Sequence, residues 1–122
     1  MKNKKLNNID KGTIGENVAS NYLLQKNYAI LQRNWRYKHW EVDIIALRNN
    51  KLHFVEVKTR TNRKFGNPES AVNEKKMNHL KNAAEAFLMQ NPTYTNIQFD
   101  VIAILLTNNL VEEVFLIEDV YF

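Results

Sequence analysis

The residues best suited to chemistry lie within one stretch, Trp40 to Arg60, which reads WEVDIIALRNNKLHFVEVKTR. It contains two acids, Asp43 and Glu56, and a lysine, Lys58, among apolar residues. Carboxylate oxygens are ligands that Mg²⁺ prefers, and a bound ion activates water and stabilises charge on a phosphodiester. A lysine ammonium beside that water lowers its pKa and adds positive charge to the transition state. These residue types therefore predict metal-dependent hydrolysis of phosphodiesters.

A tight turn at Asn49-Asn50 predicts how these residues are placed. Both arms around it are rich in Val, Ile, Leu and Phe, so the stretch is typical of a β-hairpin. A two-residue loop puts Asp43 opposite Glu56, at a cross-strand distance where like charges repel. A divalent cation between the two carboxylates would turn that repulsion into a ligand set, so we expect a metal site there.

The same register places Glu41 opposite Lys58, and we interpret Glu41 as the ion-pair partner of that lysine rather than as a metal ligand. The alternative for Glu56-Val57-Lys58 is an ordinary solvated ion pair on a strand. Apolar residues on both faces of the second arm argue against that alternative, because they are typical of a buried central strand.

The composition is that of one ordinary globular domain. The chain has 122 residues, of which 44% are hydrophobic and 25% charged, which suits a single core. No apolar run reaches membrane-spanning length, and the first residues lack the apolar core of a signal peptide, so we expect a cytoplasmic protein without membrane attachment. Because the chain has no Cys, thiolate metal sites, disulfides and a cysteine nucleophile are excluded.

The net charge of +4 and the pI of about 9.3 suit a polyanionic partner such as nucleic acid. Residues 1–11 carry several lysines among Asn residues, and we interpret them as a mobile basic tail. Residues 12–122 are expected to form the single domain.

A first helix is predicted to begin at Thr13, because Thr13-Ile14-Gly15-Glu16 matches the capping-box pattern. An apolar stripe at helical spacing follows, and Lys26-Asn27 ends it. The stripe comprises Val18, Ala19, Tyr22 and Leu23. Glu16 has two interpretations at this stage. It returns a capping hydrogen bond, or it is a third carboxylate that leans toward the open end of the hairpin.

Periodicity predicts three further strands and a long helix. The strands cover residues 28–37, 96–106 and 111–117, and the helix covers residues 70–91. The apolar face of that helix comprises Met77, Leu80, Ala84, Phe87 and Leu88. His39, beyond the first strand, is expected to be a surface residue because no second ligand is spaced to join it.

Basic residues near the acidic pair are candidates for contacts with a nucleic-acid backbone. One turn-rich segment, 59–68, leaves directly from Lys58, and other lysines lie near the start of the second helix, where an anion would offset their unfavourable interaction with the helix dipole. A solvated surface role is the alternative. The candidates are Arg36, Arg60, Arg63, Lys64, Lys75 and Lys76.

The order helix, three strands, helix, two strands, with Asp43 before Glu56-Val57-Lys58, resembles the PD-(D/E)xK nuclease superfamily and its restriction-endonuclease-like α/β fold. More narrowly, the chain resembles the YraN family of bacterial proteins, which are predicted endonucleases similar to archaeal Holliday-junction resolvases. The resemblance extends from Lys11 onward. Its landmarks are Gly12, Gly15-Glu16, Arg33 to Arg36, Glu41 to Ala46, Phe54 to Lys58, Arg60, Phe65-Gly66, Lys76 and Phe99-Asp100-Val101. Trp40 in place of Gly and Gln98 in place of Arg depart from that pattern.

The resemblance implies a central mixed β-sheet of about five strands flanked by helices. It implies that Asp43 and Glu56 bind Mg²⁺ or Mn²⁺, and that Lys58 orients or helps to deprotonate the attacking water. It further implies that Glu16 lies nearby as another acid. A homodimer is expected by the same analogy, because resolvases cut two strands symmetrically.

Three hypotheses for function follow. The first is a metal-dependent endonuclease acting on DNA, including branched or damaged DNA. The alternative is a nucleic-acid-binding module whose nuclease site is idle or completed by a partner. A hydrolase of free nucleotides is less favoured, because the sequence shows neither a Gly-rich phosphate loop nor a base-stacking pocket.

Overall fold

The computed structural model describes residues 8–61 and 74–120, with side chains from Gly12 onward. Within these residues the chain forms two helices and five strands, in the predicted order. They are α1 (Asn8–Gln25), β1 (Ala29–Tyr37), β2 (Trp40–Arg48), β3 (Lys51–Arg60), α2 (Glu74–Gln90), β4 (Ile97–Thr107) and β5 (Leu110–Ile117). The predicted contacts Arg63 and Lys64, and the predicted helix start at residue 70, lie outside the described residues. Neither described helix is long and apolar enough to cross a membrane.

The five described strands form one mixed sheet and lie in chain order. Neighbouring strands pair antiparallel except β3 and β4, which are parallel. A parallel pair needs a crossover connection that returns the chain to the same end of the sheet, and the connection here contains α2. The predicted α/β class and mixed five-stranded sheet are confirmed.

The helices cover opposite faces of the sheet. Under α2, Met77 and Leu80 pack in one core with Phe54 of β3. Under α1, Leu23 packs in a second core with Val55, whose side chain leaves the strand on the other face. Burial of each such side chain contributes about 1.5–3 kcal/mol. The predicted apolar faces of both helices are therefore confirmed, and β3 is the central strand covered on both sides.

The hairpin turn also forms as predicted. Asn49 and Asn50 have φ angles of 53° and 63°, the left-handed conformation that a two-residue turn of this type requires. The pairing runs from Arg48 and Lys51 to Ile44 and Val55 in the predicted register. The Asn pair therefore fixes which side chains of β2 and β3 share a face.

Strand β1 changes faces at Asn34, which has a φ of 54°. Residues two apart on a regular strand point to the same face. Here, however, Arg33 bonds to Asn17 of α1 while Trp35 packs edge-on against Phe87 of α2. The left-handed residue between them accounts for the reversal.

Helix α1 begins at Asn8 rather than at Thr13, so it extends into the segment predicted as a tail, whose residues 1–7 lie outside the described part of the chain. Thr13 to Glu16 is therefore inside the helix, and the capping-box interpretation is wrong. Gly15 matters for another reason. A Cβ built on it would lie 2.0 Å from Thr59 Oγ1, so the absent side chain lets α1 approach the end of β3 closely.

Candidate active site

An open cleft of about 620 Å³ lies between the start of β2, the last residues of β3 and the start of the described part of α2. Asp43 reaches it from β2, and Glu56 and Lys58 reach it from β3. The structure thus brings the three central predicted residues together. The lining residues are Glu41, Asp43, Glu56, Val57, Lys58, Lys75, Lys76, His79 and Leu80.

Asp43 does more than face the cleft. Its Oδ2 accepts a hydrogen bond from the backbone N–H of Val57, at 2.7 Å. The ladder of paired residues between β2 and β3 ends one step earlier, at Ile44 and Val55. The predicted direct pairing of Asp43 with Glu56 is therefore wrong in detail, because the Asp43 side chain bonds to the next strand where the backbone pairing stops.

The surroundings of Asp43 favour the protonated form of its carboxyl group. Burial raises its pKa to about 7, with the charge of Glu56 as the next cause, and the hydrogen bond from Val57 opposes the rise. A cation between the two carboxylates would stabilise the ionised form of Asp43.

The donor set at this position fits Mg²⁺ or Mn²⁺. Mg²⁺ is commonly held by one or two carboxylates, with waters and substrate oxygens filling the other positions. Residues 8–61 and 74–120 contain no group of three or more acidic or histidine side chains placed to hold one ion. Asp43 and Glu56 would therefore supply the carboxylate ligands, and water and substrate the others.

Two lysines approach the same acid. Lys58 Nζ lies 3.8 Å from Glu56 Oε2, and Lys76 Nζ lies 3.7 Å from the same oxygen. Burial, and next the neighbouring Lys76, lower the pKa of Lys58 to about 8. The contact with Lys58 raises the pKa of Lys76, so Lys58 is the easier of the two lysines to deprotonate. Lys58 thus has an accessible neutral form near neutral pH.

Glu41 does not pair with Lys58, so that prediction is wrong. It forms an ion pair with Arg36, its cross-strand neighbour on β1. Both side chains are well exposed. Arg36, predicted to contact nucleic acid, is thus held beside the β1–β2 turn by an acid that also lines the cleft.

Glu16 lies close to the cleft without lining it. Its carboxylate is 3.8 Å from the guanidinium of Arg33, and its charge contributes to the raised pKa of Asp43. Arg60 ends β3, and its charge contributes to the lowered pKa of Lys58. Both predicted residues are therefore near enough to act on the central groups electrostatically.

Comparison with known proteins places this arrangement in a family. The profile of the uncharacterised protein family UPF0102 matches residues 15–104, a span that includes every described residue of the cleft. The chain belongs to this family. It is 42% identical over 110 residues to a UPF0102 protein of Clostridioides difficile strain 630, covering 89% of this chain and 96% of the relative. It is 41% identical over 99 residues to one from Syntrophomonas wolfei, covering 80% and 86%.

Two features of this UPF0102 protein were not predicted. His79 lines the cleft, one helical turn after Lys76, and that spacing was the available signal. At the other end of β3, buried His53 donates from Nδ1 to Oδ2 of buried Asp100, at 2.7 Å. Asp100 also accepts hydrogen bonds from the Gln98 side chain and the Asp119 backbone. This buried cluster lies away from the cleft and joins β3, β4 and the residues after β5.

Proposed function

We propose that this UPF0102 protein is a metal-dependent endonuclease that hydrolyses phosphodiester bonds in DNA, including branched or damaged DNA. The observation that carries the proposal is the convergence of Asp43, Glu56 and Lys58 on one open cleft. Two acids that can hold a metal ion and a lysine with a lowered pKa are groups that can support metal-assisted hydrolysis of a phosphodiester.

Asp43 and Glu56 would hold Mg²⁺ or Mn²⁺. The bound ion supplies Lewis-acid stabilisation of the scissile phosphate and a more acidic water. Neutral Lys58 accepts a proton from the attacking water, or its ammonium orients that water beside Glu56. Lys76, which retains its charge, attracts a phosphate oxygen on the α2 side of the cleft.

The element order and the acid, acid, lysine sequence support the assignment by their resemblance to the PD-(D/E)xK superfamily, including the resolvase-like YraN proteins. By the same analogy, a homodimer would present two clefts to two strands in the cytoplasm. Lys75 lines the cleft, and Arg60 lies near it. These residues, with Arg36, Arg63 and Lys64, are the proposed backbone contacts.

A nucleic-acid-binding module with an idle or partner-completed site is the second candidate. The small number of metal ligands favours this candidate. In the described part of the chain the cleft offers Asp43 and Glu56 as ligands, while its third acid, Glu41, is paired with Arg36. A partner could supply a further acid. Binding without cutting would be its signature.

The deciding experiment presents labelled four-way junctions, flaps, duplex, single-stranded DNA and RNA to the purified protein in Mn²⁺. Lys58→Ala and an EDTA lane run in parallel, and Lys51→Ala, at the other end of β3, is the matched lysine control. The nuclease is supported if wild type and Lys51→Ala cut while Lys58→Ala and the EDTA lane do not. Retention of DNA in a gel shift without cutting supports the binding module. Cutting by Lys58→Ala at the wild-type rate overturns the site assignment.

A further inference from the structure

A row of aromatic side chains extends from the β1–β2 turn toward the cleft. The rings of Trp35 and Tyr37 are nearly parallel, with centroids 6.3 Å apart and planes at 9°. Tyr37 and Trp40 continue the row at 6.5 Å and 17°. His39 lies 4.8 Å from Trp40, and His79 lies 5.7 Å from His39. We call these five side chains the aromatic row.

The aromatic row is anchored at one side and open at the other. Trp35 packs edge-on against Phe87 of α2, at 5.3 Å, and Trp40 also borders the core under α2. Tyr37 is 37% exposed and belongs to neither core cluster. Rigid rings that are supported from below and partly exposed offer contact area at little entropic cost.

The row is continuous with the cleft and is accompanied by positive charge. Nε2 of His79, which lines the cleft, donates to the carbonyl of His39 at 3.1 Å. The ammonium of Lys38 lies 5.6 Å from the centroid of the Tyr37 ring. Lys75 and Lys76 line the cleft itself. Aromatic rings with cations beside them and at the cleft end match a strand of bases and phosphates, and an apolar protein partner would not need these charges.

We infer that the aromatic row stacks unpaired bases of a DNA strand whose backbone continues into the cleft. Every base has a π-face that an aromatic ring can stack on, but bases inside a duplex already use those faces. The inference rests on the proposed function only in taking the cleft as the place of the backbone. It deepens that function by specifying a substrate with unpaired nucleotides next to the scissile phosphate.

The test measures binding of a short fluorescent oligo(dT) in EDTA, so that no cutting is required. We expect Tyr37→Leu to bind about tenfold more weakly than wild type, the scale of one lost stacking contact, and Tyr37→Phe to bind like wild type. Trp40→Leu and Trp40→Phe should behave in the same way. Leu110→Ala, which alters an exposed apolar residue on β5, is the control and should bind normally.

An oligomer of the same length with abasic sugars separates stacking from phosphate contacts. We expect wild type to bind it at least about a hundredfold more weakly, because the contacts at Tyr37 and Trp40 are both lost, and Tyr37→Leu to cause no further loss. The inference is overturned if wild type does not retain oligo(dT), if Tyr37→Leu and Tyr37→Phe bind it equally, or if Tyr37→Leu weakens both oligomers alike. Aromatic-dependent binding by a protein that never cuts DNA supports the inference and contradicts the nuclease. Thermal melting of each variant confirms that it is folded.

Discussion

The carboxylate of Asp43 on β2 accepts a hydrogen bond from the backbone N–H of Val57 on β3, the residue between Glu56 and Lys58. Asp43 therefore links its own strand, β2, to β3, the strand that carries Glu56. The position of the proposed metal ligands does not depend on the metal alone, because a backbone contact holds β2 and β3 together at the cleft.

Substitutions at Asp43 should separate its two roles. Asp43→Asn keeps an oxygen that can accept from Val57, so we expect wild-type stability near pH 4, where folded wild type keeps its proton on Asp43. Cutting should be reduced by about a hundredfold or more, since metal-ion catalysis contributes several kcal/mol. Asp43→Ala leaves a part-buried N–H without its acceptor and should cost about 1–3 kcal/mol of folding free energy as well. Urea unfolding and single-turnover cleavage distinguish the two. Equal stability of both variants would contradict the structural role.

The stability of the metal-free protein should fall as the pH rises. Burial and the charge of Glu56 raise the pKa of Asp43 to about 7 from its ordinary 3.8. Between these values the folded state keeps a proton that the unfolded state releases. The contribution of protonated Asp43 to the free energy of unfolding is therefore complete below about pH 4 and is lost progressively toward pH 7. The full effect corresponds to about 4 kcal/mol. Urea unfolding in EDTA across this range measures it.

Asp43→Asn is the control for that slope, because it removes the titrating group while keeping the bond from Val57. The difference in stability between wild type and this variant should grow from about pH 4 to pH 7. Saturating Mg²⁺ should stabilise wild type at the upper end of the range and leave the variant nearly unchanged. A pH-independent difference would show that Asp43 titrates normally.

Lys76 should set the pH at which Lys58 works. Its proximity contributes to the lowered pKa of Lys58, about 8, after burial. Lys76→Met should therefore raise that pKa and move the acid limb of the rate profile to higher pH. If cutting needs neutral Lys58, the rate near pH 7 falls about tenfold for each unit of the rise. Lys75→Met, which alters the adjacent cleft lysine, should leave the limb in place, and a shared shift would assign the effect to overall charge.

Gly15 and Gly12 should respond oppositely to alanine. Gly15→Ala places a methyl group 2.0 Å from Thr59 Oγ1, so α1 must move away from β3, at about 1–3 kcal/mol. Gly12, in the same helix, has nothing within 4 Å of an added Cβ. Gly12→Ala should stabilise the protein by about 0.5–1 kcal/mol through helix propensity. Thermal melting compares them, and Thr59→Ala in the Gly15→Ala background should recover part of the loss.

Local patterns in the sequence were enough to predict the hairpin. Asn49-Asn50 specified the turn, the turn specified the register, and the register holds as far as Ile44 and Val55. It fails at Asp43, where a side chain takes a hydrogen bond from the facing strand. Periodicity cannot show this, because it reports which face a residue occupies and not what its side chain bonds to.

Features that depend on distant partners could not be read from the chain. Residue 15 must be glycine because Thr59 lies against it, and no sequence pattern indicates that these two distant residues meet. His53 and Asp100 meet because β3 and β4 are parallel neighbours. Thr13 to Glu16 matched a helix start locally, yet α1 begins at Asn8. A capping pattern is compatible with a helix interior when the preceding residues also become helical.

The order of the strands also bears on how the protein is made. A ribosome completes β1, β2 and β3, which are neighbours in the sheet, before it has produced the described part of α2 or any of β4. The nascent chain then carries Asp43 and Glu56 while the edge of β3 and the face that α2 later covers are exposed. Such a state is prone to aggregation. An ion captured at that moment would act before the cleft is complete. The yield of folded protein would then depend on the divalent ions present during its translation.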